Sequence, residues 1–237
     1  MRFFLLFWQK YKIMAFIVFE GLDGAGKSTQ IKLLTSYLEK SGKKVFSMHF
    51  PQTAANRFGG LVARFLRGEF GENNQVDPYL VAAIYAGDRY DAREMLINII
   101  KEYDYVIVDR YVASNIAFQC AKIENLQEKA KLMDWILDLE FSLYQLPKPD
   151  QTFFFDVPLS FTKKKLDEER TGEDRAYLQG KKDIHEKDIN FQSEVRKVYL
   201  NLCEKDNDYL RIHCESETGE IQEPLLIHQE VLKSLIL

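Results

Sequence analysis

The chain alternates short apolar runs with longer amphipathic segments along most of its length. Five runs rich in β-branched or aromatic residues predict strands, at 16–19, 44–49, 105–109, 151–157 and 209–213. Their apolar residues occupy consecutive positions rather than alternating ones, which is typical of strands buried on both faces of a sheet. These runs therefore predict the inner layer of an α/β protein.

Segments with helical periodicity separate these strands, at 28–41, 78–101, 111–122, 127–145, 158–169, 184–204 and 225–236. Leu132, Ile136, Leu139 and Leu143, for example, share one face of a helix. Such alternation predicts a parallel sheet with right-handed crossovers and with ligands at the carboxyl ends of the strands. With 237 residues, of which 46% are hydrophobic, the chain has room for one such domain, over 14–237, rather than two.

The first strand runs into a glycine-rich loop that is followed directly by a helical segment. Its glycines, Gly21, Gly24 and Gly26, allow a tight turn whose N–H groups converge on an anion. Lys27 adds a cation for the β- and γ-phosphates, and the Ser28 hydroxyl is placed to reach Mg²⁺. A flexible surface turn is disfavoured by the flanking strand and helix. The predicted ATP-binding residues are Gly21, Leu22, Asp23, Gly24, Ala25, Gly26, Lys27, Ser28 and Thr29.

A carboxylate and a guanidinium end the third predicted strand. Asp109 would lie beside the glycine loop if the two strands are neighbours, where it could hold the water shell of Mg²⁺. Arg110 follows it and could grip a second anion with two hydrogen bonds. An ion pair that merely caps the strand is the structural alternative.

Composition argues against several classes of partner and location. The net charge of −4 indicates neither a nucleic-acid surface nor an anionic-membrane surface. Cys120, Cys203 and Cys214 are odd in number and lack close pairing, so they predict free thiols in a cytoplasmic protein. The apolar run within residues 1–13 is short and lysines follow it, so we expect an extension outside the fold and not a signal sequence.

Several motifs together resemble the thymidylate kinase family. They are GLDGAGKSTQ at 21–30, YAGDR at 85–89, DRYVASNIAFQ at 109–119, LPKPD at 146–150 and ERTGEDR at 169–175. The resemblance implies a three-layer P-loop nucleotide kinase fold, with a five-stranded parallel sheet flanked by helices and a small lid at about 168–187. It implies phosphorylation of dTMP to dTDP by Mg·ATP in a homodimer.

The resemblance also assigns an acceptor site to Asp23, Tyr85, Arg89, Arg110, Ser114, Asn115 and Phe118. Arg110 is implied to hold the dTMP phosphate, Tyr85 to stack on thymine, and Arg89 to hydrogen-bond the base edge. Asp23 is implied to face the sugar or the metal, and Phe118 to disfavour ribose by crowding its 2′ position. For Tyr85 and Phe118, core packing is the alternative.

Catalytic arginines lie either in the phosphate loop or in the lid of this family, and position 24 is glycine here. The resemblance therefore implies the lid form, with a catalytic set of Lys27, Asp109, Arg110, Arg170 and Arg175 and metal ligands Ser28 and Asp109. Where the family usually has an arginine after Phe50-Pro51, this chain has Gln52 and Thr53. Either Arg57 or Arg64 from the next helix is a candidate substitute, and His185 is expected at the surface.

Two other classes of function remain alternatives. One is a kinase for a different monophosphate or for a nucleoside. The other is a GTPase-type switch or a non-catalytic nucleotide-binding module. The switch is disfavoured because Asp109-Arg110-Tyr111 contains no Asp-x-x-Gly and the chain has no Asn-Lys-x-Asp signature.

Overall fold

The computed structural model describes residues 14–54, 57–167, 173–181, 183–186 and 188–235. Side chains are described for all of these except 167 and 173–175. The expected N-terminal extension at 1–13 and the lid residue Arg170 lie outside the described residues.

Five strands form one parallel sheet in the order β2-β3-β1-β4-β5. Their bounds are β1 Ala15–Gly21, β2 Val45–His49, β3 Tyr105–Asp109, β4 Gln151–Asp156 and β5 Tyr209–His213. In the register of β1 with β3, Phe19 lies opposite Asp109, so the glycine loop and this carboxylate leave the sheet at the same edge. The predicted five-stranded parallel sheet is confirmed, and its central strands are buried on both faces.

The helices are α1 Lys27–Lys40, α2 Arg57–Leu66, α3 Pro78–Asp91, α4 Arg93–Glu102, α5 Val112–Cys120, α6 Leu126–Leu137, α7 Leu159–Asp167, α8 Ile189–Lys205 and α9 Pro224–Ser234. The single helix predicted at 78–101 divides at Ala92. The helix predicted at 127–145 continues beyond α6 as a π-helical turn, Asp138–Leu143. The helix predicted from 184 begins at Ile189, because the Asp188 carboxylate caps it by accepting from Asn190 N.

The sheet lies between two layers of helices. On one face, Ile17 and Phe19 of β1 pack with residues of α1 and α9, including Leu34 and Val231. On the other face, strand residues such as Val18 pack with α4, α5, α6 and α8. Because successive residues of a strand point to opposite faces, one apolar run supplies both cores. The expected three-layer arrangement is confirmed.

A third apolar cluster joins the lid to the helices beside the site. It contains Val62, Phe65, Leu66, Val81, Leu178 and Ile184. The first three belong to α2 and Val81 to α3, while Leu178 and Ile184 belong to two 3₁₀ turns of the lid, Glu173–Leu178 and Ile184–Glu186. Burial of these lid side chains holds the described part of the lid against α2 and α3.

All three cysteines are free thiols, as expected. Burial raises the pKa of the Cys120 thiol to about 12. Of the helices among the described residues, none has the length and apolar character needed to cross a membrane.

Close packing between α2 and α3 depends on Gly87. A Cβ at this position would lie 2.4 Å from Cδ1 of Phe58. We expect Gly87→Ala to lower the free energy of unfolding by about 1–3 kcal/mol, because the Phe58 ring must be displaced from a packed position. Urea denaturation measures this difference.

Gly60 on α2 provides the matched control, since a Cβ there would meet none of the described atoms within 4 Å. Gly60→Ala should raise the free energy of unfolding by roughly 0.5–1 kcal/mol, through the higher helix propensity of alanine. Equal stability of Gly87→Ala and the wild type would contradict the close contact.

Candidate active site

The loop between β1 and α1 lines a cavity of about 620 Å³. Gly26 precedes α1 with φ of 82°, a left-handed conformation that glycine adopts without a steric cost. Thr29 N and Gln30 N donate to Gly26 O at 3.0 and 3.1 Å, and the start of the helix carries the positive end of its dipole. The loop and helix therefore form an anion site, and we refer to this space as the outer cavity.

Lys27 lies across the loop rather than extending into solvent. Its Nζ donates to Gly21 O at 3.3 Å and to Leu22 O at 3.2 Å, and lies 3.9 Å from Asp109 Oδ1. Burial lowers the pKa of Lys27, and Arg110 lowers it further, against an opposing contribution from Asp109. The ammonium group is thus positioned between the loop and the end of β3.

Ser28 and Asp109 both line the outer cavity and have side-chain oxygens that could hold a divalent cation. Ser28 is exposed on the outer cavity, and buried Asp109 Oδ1 has no hydrogen-bond partner among the described residues. The described part of the chain contains no cluster of three or more acidic, histidine or cysteine ligands. Mg²⁺ typically takes one or two protein ligands and completes its shell with water and phosphate, so this sparse set fits it.

Arg110 connects the phosphate loop with α5. Its Nη2 donates to Asp23 Oδ1 at 2.9 Å and its Nη1 to Ser114 Oγ at 3.2 Å. Burial alone would lower the pKa of Arg110, but nearby Asp23 and other anionic groups raise it overall, so the guanidinium stays charged. Its φ of 64° is rare for a residue with a side chain, and such strain is frequent at functional sites.

Glu20 holds the residues that follow Arg110, and it was not identified as a site residue from the sequence. This fully buried carboxylate accepts from Tyr111 N at 2.8 Å, Ser114 N at 3.1 Å and Tyr199 Oη at 2.8 Å. Its Oε2 also accepts from Ser114 Oγ, so the hydroxyl that receives Arg110 is itself held in place. The sequence feature that could have identified Glu20 is its position as a carboxylate at the end of an apolar strand.

A second, smaller space of about 80 Å³, the inner cavity, adjoins the outer one. Asp23, Pro51, Arg110 and Tyr177 line both. Its volume is well below the roughly 300 Å³ at the lower end of ligand pockets. Because the lid residues Tyr177, Asp183 and His185 form part of its wall, a nucleotide would require the lid to move outwards.

The structure brings together six of the seven residues expected to contact the acceptor. Asp23, Tyr85, Arg110, Ser114, Asn115 and Phe118 line the inner cavity. Burial, with Asp183 adding to it, raises the pKa of Tyr85, so its phenol remains neutral. Phe118 lies under the Arg110 guanidinium, with 5.2 Å between Cζ and the ring centroid.

Arg89 does not line the inner cavity, in contrast to its expected contact with the base edge. Its side chain is 2% exposed, and Nε and Nη2 both donate to Glu140, with Nη2 at 2.6 Å. Glu140 also accepts from Asn115 Nδ2 at 2.8 Å. Arg89 therefore lies behind the cavity wall and supports Asn115 through Glu140.

His185 is buried, contrary to the expectation of a surface residue. Its ring lies 4.8 Å from the Phe118 ring and 5.4 Å from that of Phe65, and it lines the inner cavity. Burial, with the nearby Lys122 charge, lowers the pKa of His185 to about 3, so the imidazole is neutral. The charged residues around it in sequence misled the prediction, because Ile184 beside it inserts into the third apolar cluster.

The structure describes only some of the arginines that were predicted to contact phosphate groups. Arg170 and the side chain of Arg175 lie outside the described part, so their catalytic role stays a prediction. Arg57 and Arg64 line a separate cavity beside α2 and neither of the two cavities above. Arg64 Nε donates to Glu69 at 2.9 Å.

Asp183 is a buried carboxyl group of the lid. It accepts from His185 N at 2.8 Å and from Tyr177 Oη at 3.2 Å, while burial and the charges of Asp23 and Glu186 raise its pKa to about 7. The ordinary pKa is 3.8, so between these values the folded state holds a proton that the unfolded chain releases. The contribution of Asp183 to the free energy of unfolding therefore falls as pH rises through this interval.

We expect the stability of the wild type relative to Asp183→Asn to fall from acid pH to about neutral pH, and then to level off. Urea denaturation of both proteins across this range tests it. Asp134→Asn, at an exposed position, serves as the control. The free energy of unfolding of the wild type relative to this variant should not show the same fall towards neutral pH. A pH-independent difference for Asp183→Asn would contradict the buried neutral acid.

Comparison with known proteins gives a consistent result along most of the chain. The family model described as thymidylate kinase matches residues 19–225. The thymidylate kinase of Mycobacterium tuberculosis is 33% identical over 188 residues, which cover 79% of this chain and 85% of that protein. A probable thymidylate kinase of Thermococcus gammatolerans is 28% identical over 228 residues, covering 93% of this chain and 99% of that protein.

Solved structures show the same fold. The structure of thymidylate kinase from Candida albicans matches with a TM-score of 0.68 at 21% identity, covering 92% of this chain and 89% of that chain. The thymidylate kinase of Ehrlichia chaffeensis matches with a TM-score of 0.62 at 24% identity, covering 94% of this chain and 98% of that chain. The arrangement of sheet, loop and helices is therefore shared with these proteins.

Proposed function

Because the chain belongs to the thymidylate kinase family, we propose that it transfers the γ-phosphoryl group of Mg·ATP to dTMP, forming dTDP. The observation that carries this proposal is the position of Arg110. It lies where the outer and inner cavities meet and is held by Asp23 of the phosphate loop and by Ser114 of α5. A guanidinium at this junction can hold the acceptor phosphate facing the donor.

The chain acts by positioning and by neutralising charge. The loop N–H groups and Lys27 hold the donor phosphates, and Arg110 holds the acceptor phosphate in line with them. Ser28 and Asp109 would hold Mg²⁺, which would supply positive charge against the donor phosphates. Arg170 and Arg175 would close over the transferring group, where charge spreads over three oxygens in the transition state.

The acceptor sugar and base would occupy the inner cavity. Tyr85 supplies an aromatic face for thymine, and Asn115 supplies a polar contact to the base. Phe118 crowds the 2′ position, where a hydroxyl would lose water without gaining a hydrogen-bond partner. Asp23 faces the sugar from the phosphate loop.

Initial rates with Mg·ATP and a panel of dTMP, dUMP, UMP, CMP and thymidine test this function. We expect dTMP to have the highest kcat/KM, because thymidine lacks the phosphate that Arg110 would hold and Phe118 would crowd the 2′-hydroxyl of UMP and CMP. Faster turnover of another monophosphate would favour a kinase of different specificity. Nucleotide binding without transfer to any member of the panel would favour a non-catalytic module.

Lys27→Met tests the catalytic role assigned to Lys27. We expect its kcat to fall about 10²- to 10³-fold while its circular dichroism is unchanged, because one charged donor to the transferring group is lost. The matched variant Lys40→Met, at the exposed end of α1, should turn over like the wild type. Equal rates for Lys27→Met and Lys40→Met would refute the role of Lys27.

We further propose that the protein is a cytoplasmic homodimer, consistent with its free thiols. Several apolar side chains on or near α3 and α6 are exposed, among them Leu80 at 63%, Leu126 at 78% and Leu143 at 69%. Burial of such a surface between two copies would be favourable. Sedimentation equilibrium should give twice the mass of the 27.8 kDa chain, and a monomer at all concentrations would contradict this assembly.

A further inference from the structure

The cavity beside α2 has a volume of about 700 Å³, and its walls come from α2, from the end of β2 with the segment after it, and from the lid. This volume falls within the roughly 300–1,000 Å³ of small-molecule sites. The cavity adjoins the outer one, with which it shares His49, Thr53 and Tyr177, but neither Lys27 nor Arg110 lines it. We refer to it as the α2 cavity, and it is distinct from the places assigned to the donor and acceptor phosphates.

Positive charge in the α2 cavity exceeds the negative charge beside it. Arg57, Arg64 and Arg67 contribute guanidinium groups, and none of the described residues that line the cavity is acidic. Nε of Arg64 and Nε of Arg67 donate to the same carboxylate, that of Glu69, at 2.9 and 2.7 Å. Arg57 forms no ion pair within the described part of the chain. Three guanidinium groups therefore have one carboxylate between them, and a cleft lined by one sign of charge attracts ions of the other sign.

Arg67 is fixed within the α2 cavity and is not a mobile surface side chain. It is 10% exposed, its Nε binds Glu69, and its Nη1 donates to Tyr177 O at 2.7 Å. These bonds use two of the five N–H donors of a guanidinium, so three have no partner among the described residues. Because the group is already oriented, a ligand that binds it pays little for ordering it.

The spacing of the three arginines favours a ligand with several phosphate groups. Arg57 and Arg64 lie seven residues apart on one face of α2, about 10 Å along its axis, and Arg67 follows three residues later. Each guanidinium can bind phosphate oxygens through two parallel hydrogen bonds. A row of such groups matches a chain of phosphates better than it matches a single phosphate.

We propose that the α2 cavity is a second anion site, which binds a polyphosphate chain through Arg57, Arg64 and Arg67. Inorganic tripolyphosphate and the triphosphate of a nucleotide share this chemistry. The site also touches the lid, since Tyr177 lines all three cavities and its carbonyl oxygen binds Arg67. The inference does not depend on transfer of a phosphoryl group to dTMP.

Glycine amide signals in an NMR spectrum separate binding at the two anion sites, because Gly60 lines the α2 cavity and Gly26 lines the outer one. The full chain is isotopically labelled at glycine nitrogen, and Gly60→Ala identifies the Gly60 signal by removing it. Titration with tripolyphosphate in the absence of dTMP should shift this signal in the wild type.

Arg57→Gln tests which side chains hold the anion. Arg57 is exposed, so the variant should fold like the wild type. Its Gly60 signal should need about 10-fold more tripolyphosphate or more for the same shift, as expected for loss of a charged hydrogen bond. The titration of its Gly26 signal should be unchanged.

Lys101→Gln is the matched control, because it removes one exposed positive charge from α4 and lies outside all three cavities. This variant should titrate like the wild type. Equal Gly60 titrations in Arg57→Gln and Lys101→Gln would overturn the proposal. A Gly60 signal that does not move while that of Gly26 saturates would also overturn it.

Two further ligands define the chemistry of the site. Sulfate at the same ionic strength should shift the Gly60 signal at least about 10-fold more weakly than tripolyphosphate, because it engages fewer guanidinium groups. Equal affinity for sulfate would overturn the assignment to a polyphosphate chain. Tighter binding of ATP than of tripolyphosphate would identify a nucleotide as the source of the chain, and the reverse order would identify free polyphosphate.

Discussion

The partly buried ion pair between Arg110 and Asp23 is the contact on which the site depends. It joins the phosphate loop after β1 to the residue after β3, and both of its members line both cavities. Removing one partner of this pair would leave a partly desolvated charge without its counter-ion. The register that sets Phe19 opposite Asp109 brings the two segments together, and Glu20 holds the start of α5 beneath them.

Charge is distributed unevenly along the inner cavity. Arg110, which the inner cavity shares with the outer one, is charged, whereas Asn115, Gln119 and the neutral imidazole of His185 line the inner cavity alone. Asp183 retains a proton up to about neutral pH because its pKa is raised to about 7. This gradient from a cation to neutral polar groups matches a nucleoside monophosphate, which is charged at one end and uncharged at the base.

Much of the fold was predictable because it depends on local patterns. The five strands, the phosphate loop and the carboxylate at the end of β3 were each identified from consecutive apolar residues and the turn residues beside them. The helix break at Ala92 and the π-helical turn after α6 were not, because packing against neighbouring elements decides where an amphipathic segment bends. The lid histidine, His185, was misjudged for the same reason, since the residues that bury it are distant in sequence.

The sequence by itself determined the chemistry that is available: a glycine cradle with Lys27, a carboxylate and guanidinium after a buried strand, and the motifs of one family. These features follow from backbone geometry and side-chain type within a few residues. Only the tertiary structure decided which polar groups remain free to bind a ligand. Arg89 is paired with Glu140 from a distant turn, whereas the amide of Gln119 has no partner among the described residues, because hydrogen-bond pairing depends on contacts that no local pattern contains.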